Sequence, residues 1–174
     1  MTIEIPTLTT VERTDLHSTL AAHRGFLVGT VRDLTDDQAR LSPTVSQLCL
    51  GGIIKHVTLM EEGWVRFIEE GPSAIGSSDA AAYEAHAAGF RMLDGETLPS
   101  LLARYEAVAR HTDELLFALP SLDASQPLPE APWFEAGASW TARRVFIHVV
   151  AETAQHAGHA DIIRETLDGA KSMG

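Results

Sequence analysis

The chain has 174 residues, 45% of them hydrophobic, which is enough to bury one sizeable core and predicts a single domain spanning 1–174. Its 24 Asp and Glu against 13 Lys and Arg leave a formal charge of -11, a balance that repels phosphate backbones and anionic headgroups and argues against nucleic acid as a partner. Cys49 is the only cysteine, which excludes an intrachain disulfide and a zinc site built from several thiolates; with no signal-like or membrane-length apolar run, the expected setting is cytoplasmic, without a membrane partner.

Thr9 followed by Glu12 has the form of a capping box, and Leu16, Leu20, His23, Leu27, Val31 and Leu34 recur at helical period, predicting a first helix with one apolar stripe. Thr35 with Gln38 predicts the cap of a short second piece that stops near Ser42-Pro43, because a residue before proline is driven out of helical geometry. A longer helix is predicted from Ser46 to Glu70, closed by Gly71-Pro72. Cys49, Ile53, His56, Met60, Gly63 and Phe67 face inward on it, with Lys55, Glu62 and Arg66 outside. Gly71 to Glu96 is rich in Gly, Ser and Ala and reads as a long connection with a weak helical turn around Asp79 to Gly89. Thr97 opens the third long helix, whose stripe of Leu101, Tyr105, Val108, Thr112, Leu115 and Leu119 ends at Pro120. Pro127, Pro129 and Pro132 are expected to keep Ser121 to Gly137 irregular. Ser139 is expected to cap the last helix, which passes Gly158 and stops at Gly169. Four long helices without an alternating strand pattern predict an all-α fold, a four-helix bundle of up-down topology with one long crossover connection.

The last helix carries the chemistry. His148, Glu152, His156 and His159 fall at relative angles of about 0°, 40°, 80° and 20°, so all four share one face. Val145, Val149 and Ile163 lie on or beside that face and turn it inward, where a stripe of ionisable groups is costly unless something pairs with it. Glu152 and His156, one turn apart, can converge on one ion, and His56 supplies a third ligand from the second long helix. Two imidazoles and one carboxylate leave coordination positions open for water or substrate, as reactive sites do. His148 and His159 stand roughly 16 Å apart along the helix and cannot both join the same ion; each is a neighbour suited to hydrogen bonding or proton transfer.

Other residues have blander readings. A lone histidine on an apolar face is more often a satisfied core residue than a ligand, and His23 keeps that reading. Cys49 reads chiefly as a small apolar residue. Trp133, Phe134 and Trp140 could roof a pocket, with core packing the favoured use, and Asp161 with Arg164 reads as a helix-surface ion pair. His17, His86 and His111 are expected to be dispensable for metal binding.

The run His148-Val-Val-Ala-Glu152-Thr-Ala-Gln-His156-Ala-Gly-His159-Ala-Asp161-Ile-Ile-Arg164-Glu165 resembles the DinB-like superfamily, and within it the DUF664 branch. Gly51-Gly52-Ile-Ile-Lys-His56, Glu62, Trp64 and the Asp94-Gly95-Glu96-Thr97-Leu98 entry carry the same likeness. The resemblance implies a four-helix bundle with a metal triad of two His and a third residue that is His or Glu, matching His56, Glu152 and His156 here. Many DinB-like members carry His where this chain has Glu152; the similar domain of mycothiol-dependent maleylpyruvate isomerase has Glu. It further implies a divalent-metal-dependent S-transferase or isomerase that uses a low-molecular-weight thiol, mycothiol, on a small electrophile; the place of His148 and His159 beside the triad makes either a candidate to carry the thiol proton. Zinc is the default ion, with nickel, iron and manganese as alternatives, and a homodimer is expected on resemblance alone. Two other classes stay open: a metal-binding protein without catalysis, and a metal-dependent hydrolase.

Overall fold

The computed structural model describes residues 8–75 and 80–172. In chain order these form α1 (Leu8–Gly29), α2 (Asp36–Arg40), α3 (Leu50–Glu70), a 3-10 turn (Pro72–Ala74), α4 (Ala80–Gly89), α5 (Leu98–Ala118), β1 (Ser125–Pro127), β2 (Ser139–Thr141) and α6 (Ala142–Asp168). The architecture is mostly α-helical: α1 packs on α6 and α5, and α3 packs on α5 and α6. No helix among the described residues is long and apolar enough to cross a membrane.

Short polar side chains set where the helices begin. Thr35 and Gln38 form the expected capping box of α2, and Thr97 with Ser100 forms another at the start of α5, so the first backbone N–H groups of both helices are satisfied. The start of α3 falls at Leu50 rather than Ser46, because the Cys49 thiol takes the cap position and accepts a hydrogen bond from the Gly52 N–H at 3.4 Å. α6 is capped by Thr141, which accepts from the Arg144 N–H at 3.2 Å, and not by Ser139. Ser139 is instead the far end of β2, which pairs antiparallel with β1 in the register Ser125↔Thr141, Gln126↔Trp140 and Pro127↔Ser139. The segment expected to be irregular, Ser121 to Gly137, thus holds β1, which pairs with β2 just beyond it in a two-stranded ribbon whose strands, at three residues each, are too short to show alternation. Gly169, in the left-handed region at φ +81, ends α6 as expected.

Other boundaries shift for local reasons. α1 already includes Leu8, and the expected cap at Thr9 lies outside the described side chains. Val31 and Leu34 extend the apolar stripe of α1 but stand beyond its end at Gly29; the Thr30 hydroxyl donates to the Leu27 carbonyl at 2.7 Å, and Asp33 adopts φ 60 in the turn that follows. The weak turn expected around Asp79 to Gly89 is a ten-residue helix, α4, with Asp79 itself outside the described residues.

Among the described residues the interior is mainly apolar, and its buried polar groups include an ion pair. Leu27, Ile53, Ile54, Val57, Leu101 and Ile163 lie in one buried cluster, and Leu20, Phe67, Leu116, Phe146 and Val149 in another. Glu61, fully buried on α3, is paired with Arg24 of α1, which also donates to Asp113 of α5 at 2.8 Å. The hydroxyls of Tyr105 and Thr153 are buried in this core too, and burial together with the Glu61 charge raises the Tyr105 pKa. The inward turn of Glu61 is encoded in the spacing of Val57, Glu61, Val65 and Ile68, a second buried stripe beside the one that carries His56.

Two glycines decide how near the chain comes to the start of α3. A Cβ at Gly52 would stand 1.9 Å from the Phe90 carbonyl oxygen, and one at Gly51 would stand 2.5 Å from the Met92 sulfur. Only glycine at 52 lets the segment after α4 lie directly on α3, and an added methyl must push backbone rather than a flexible side-chain tip. Gly158 of α6 has nothing within 4 Å of the same construction. Gly52→Ala is therefore expected to destabilise by about 1–3 kcal/mol, and Gly158→Ala to stabilise by about 0.5–1 kcal/mol through helix propensity. Thermal melts of the two variants should move in opposite directions; a neutral Gly52→Ala would contradict the close approach.

Candidate metal centre

α3 and α6 place three donors against one another. The ligand atoms of His56, Glu152 and His156 all lie within 4.8 Å of one another, near enough to hold a single cation. Glu152 and His156 are one turn apart on α6, with His156 Nε2 3.5 Å from Glu152 Oε2, and His56 reaches them from α3 with its ring centroid 4.7 Å from that of His156. The expected triad is thus brought together in space.

The electrostatics suit cation binding, because a ligating imidazole must be neutral. Both His56 and His156 are 8% exposed. Burial pushes the His56 pKa down to about 3, and the neighbouring His156 and His86 push the same way. His156 is also lowered by burial, against the opposing pull of Glu152. Two neutral nitrogens and one carboxylate oxygen form a donor set that a divalent ion such as zinc accepts, and the half-buried Glu152 leaves the site open on the cleft side.

The rings are held by their surroundings. His56 stacks on Phe90 with centroids 3.7 Å apart and planes 18° from parallel, and Phe90 stands there because its backbone rests on Gly52. His156 Nδ1 meets His159 Nδ1 at 3.5 Å, so a proton on either ring can be donated to the other, leaving His156 Nε2 turned toward Glu152. His148 sits on the other side of the carboxylate, its Nε2 4.0 Å from Glu152 Oε1 and its ring edge-on to Trp64 and Trp140 at 4.9 and 5.2 Å. Burial lowers the His148 pKa, with Glu152 opposing and Arg144 adding to the shift. The two neighbouring histidines therefore stand in different places: His148 lines the cleft, whereas His159 lies against His156.

The cleft has a volume of about 1120 Å³, with His56, His148, Glu152 and His156 in its wall together with Trp64, Trp133 and Phe134. Trp133 is 59% exposed, so its surroundings are those of a cleft rim and not of the core packing favoured from sequence. Trp140 stacks on Trp64 at 4.6 Å. His86, set aside in the sequence, lies in the cleft wall with its ring 5.5 Å from His56. It was missed because α4 is written in a run of small residues that reads as a connection.

Cys49 caps α3, and His23 packs against Phe26 at 6.0 Å. Arg164 pairs with Asp168 at 2.9 Å and donates to the Thr30 and Arg32 carbonyls, and Asp161 accepts from the Ser172 N–H at 2.6 Å, so in place of the expected Asp161–Arg164 pair the two side chains hold the turn after α1 and the segment after α6.

The sequence model of the mycothiol-S-transferase family matches residues 15–169, a span that contains His56, the whole cleft wall and all of α6. No curated protein and no solved structure matches the chain. The chain belongs to the mycothiol-S-transferase family, a DinB-like family.

Acid should act on the fold through the buried imidazoles. His56 takes up its proton near 6.5 in the unfolded chain but only near 3 when folded, so its contribution to stability is full above pH 6.5 and declines as the pH falls from 6.5 toward 3. Urea melts of metal-free protein should show the midpoint dropping through that window, and His56→Phe should remove part of the slope. A variant whose slope equals that of the parent would show that His56 is not folded in as the neutral form.

Proposed function

We propose that this chain transfers the sulfur of mycothiol to an electrophilic carbon of a small molecule, with His56, Glu152 and His156 holding a divalent ion and His148 taking the thiol proton. The observation that carries this reading is the convergence of the three donors within 4.8 Å in the wall of an open cleft, in a member of the mycothiol-S-transferase family. Zinc is the first expectation for the ion, with nickel, iron and manganese the alternatives that the same donors accept. A divalent ion bound there supplies Lewis acidity that favours thiolate over thiol near neutral pH.

The remaining steps fall to the chain's own side chains. His148, kept neutral by burial, presents Nε2 to the cleft as a proton acceptor, and Glu152 Oε1 at 4.0 Å stabilises the imidazolium that results. His159 orients His156 through the Nδ1 contact and acts as a positioning residue. Trp64 and Trp140 restrict the His148 ring and keep water from one of its sides. In this reading α1, α3, α5 and α6 are the helices of a DinB-like four-helix bundle, up-down in topology, with the long crossover running from α3 through α4 to α5. The protein works in the cytoplasm as a homodimer.

Elemental analysis and conjugate assays test the assignment. Purified protein should carry about one divalent ion per chain, and His56→Ala, Glu152→Ala and His156→Ala should each weaken it by more than about 100-fold, since loss of outer partners alone weakens metal sites by about 10–100-fold. His148→Ala should keep the ion while thiol-dependent turnover falls by about 100-fold or more, the usual contribution of a positioned base. Unchanged metal content in His56→Ala would dismantle the triad. Full turnover in His148→Ala would remove it as proton acceptor.

A further inference from the structure

The cleft divides into two chemistries. Its imidazoles and its carboxylate gather at the donor triad, while Met60, Trp64, Ile75, Trp133 and Phe134 give the wall an apolar and aromatic component. Trp64 is braced from behind, stacked on Trp140 with planes 12° apart and edge-on to Phe67 at 5.4 Å, so its face is set before anything binds. Trp133 is the opposite case. It touches Phe134 and Tyr83 edge-on, both at 6.2 Å, yet 59% of it stays open to solvent at the cleft rim. Wet aromatic surface in the wall of a cleft that also holds the donor triad is the surface that an apolar molecule would gain most by covering.

The charges narrow the choice. Among the described cleft-lining residues Arg66 is the single Lys or Arg, and its guanidinium is forked onto Glu70, with Nη2 to Oε2 at 2.7 Å and Nε to Oε1 at 3.2 Å. Arg144 lies 4.4 Å over the Trp140 ring and is not part of the cleft wall. A carboxylate or sulfonate seated against Trp133 and Phe134 would lose water without finding an unengaged Lys or Arg among the described cleft-lining residues, and a chain of formal charge -11 does not draw it in.

Resting on the thiol-transfer reading above, we propose that the electrophile is an uncharged, flat aromatic molecule seated against Trp133 and Phe134. With a halogenated nitroarene the step balances simply. A sulfur–carbon bond forms at the ring carbon bearing the halogen, the carbon–halogen bond breaks, the halide leaves with its electron pair, and the thiol proton passes to His148.

Metal-loaded, full-length protein is assayed with mycothiol and three electrophiles: chlorodinitrobenzene, its carboxylated analogue chlorodinitrobenzoate, and iodoacetamide. After correction for uncatalysed rates, kcat/KM should favour chlorodinitrobenzene over the benzoate by at least about tenfold, the penalty of burying an unpaired charge. Trp133→Ala should raise KM for chlorodinitrobenzene by roughly 3- to 10-fold, as loss of aromatic stacking implies, with a smaller effect on KM for mycothiol and no loss of metal. Equal turnover of the benzoate overturns the proposal, as does a Trp133→Ala effect confined to KM for mycothiol, which would assign the ring to the thiol's sugar. A second measurement needs no thiol: dinitrobenzene, which lacks a leaving group, should quench tryptophan fluorescence saturably and bind more weakly to Trp133→Ala. Conjugation of iodoacetamide without binding of dinitrobenzene would sink the aromatic site and spare thiol transfer. Binding of dinitrobenzene without conjugation of any electrophile would sink thiol transfer and spare the aromatic site.

Discussion

The close approach at Gly52 is the constraint on which the geometry of the candidate metal centre depends. The carbonyl of Phe90 occupies the space that any Cβ at 52 would need, and this brings the end of α4 onto the first turn of α3. The Phe90 ring is thereby laid against His56, one turn further along α3, where the 3.7 Å stack leaves the imidazole little freedom to turn away from α6. A residue with no side chain thus orients a candidate ligand, His56, through the ring of Phe90. Gly51 works beside it by admitting Met92, and the Cys49 thiol starts the helix at the register that sends His56 inward. The Gly-Gly-x-x-x-His order is a packing device as much as a motif.

The second constraint is the polarity of the interior. Burying Glu61 without Arg24 would leave an uncompensated carboxylate, and removal of one partner from such a pair typically costs about 3–5 kcal/mol. The pair joins α1 to α3, and Asp113 extends it to α5. On α6 the polar stripe is handled differently, by pairing carboxylate and imidazoles among themselves along the helix. Both arrangements keep ionisable groups away from open solvent, but Arg24 and Glu61 face each other within the core, whereas the α6 groups open onto the cleft. The first holds helices together; the second is the one that an incoming molecule can reach.

Helical periodicity locates the four long helices, and capping and glycine signals mark Thr35, Thr97 and Gly169, because each is a local property of a few neighbouring residues. It also put His56, Glu152 and His156 on inward faces, and spacing sufficed for the two on α6 because they share a helix. What escaped was non-local. Thr141 rather than Ser139 caps α6 because β2 pairs with β1 across a loop, a contact that three-residue strands do not announce. Tyr105 reads as one more apolar position on its stripe, and only the fold shows that its hydroxyl shares a core with Glu61. His86 and the rim position of Trp133 depend on how α4 and the proline-rich loop fold over α3, which no periodicity encodes.

The carboxylate at 152 gives the centre a property that a third imidazole would lack. An imidazole ligand has one nitrogen to turn toward a cation and sends the other away from it, whereas a carboxylate presents two oxygens from a single carbon. Here Oε2 of Glu152 faces His156 and Oε1 faces His148, at 3.5 and 4.0 Å. A proton arriving on His148 is therefore felt directly by the same carboxylate that stands among the donors, and the two groups, four residues apart on one helix, keep that spacing through any rigid movement of α6. The aromatic rings of Trp64 and Trp140 limit the motions left to His148 to those that keep it near the carboxylate. Glutamate at this position thus ties the candidate donor set to the histidine that faces the cleft, and does so within one turn of one helix.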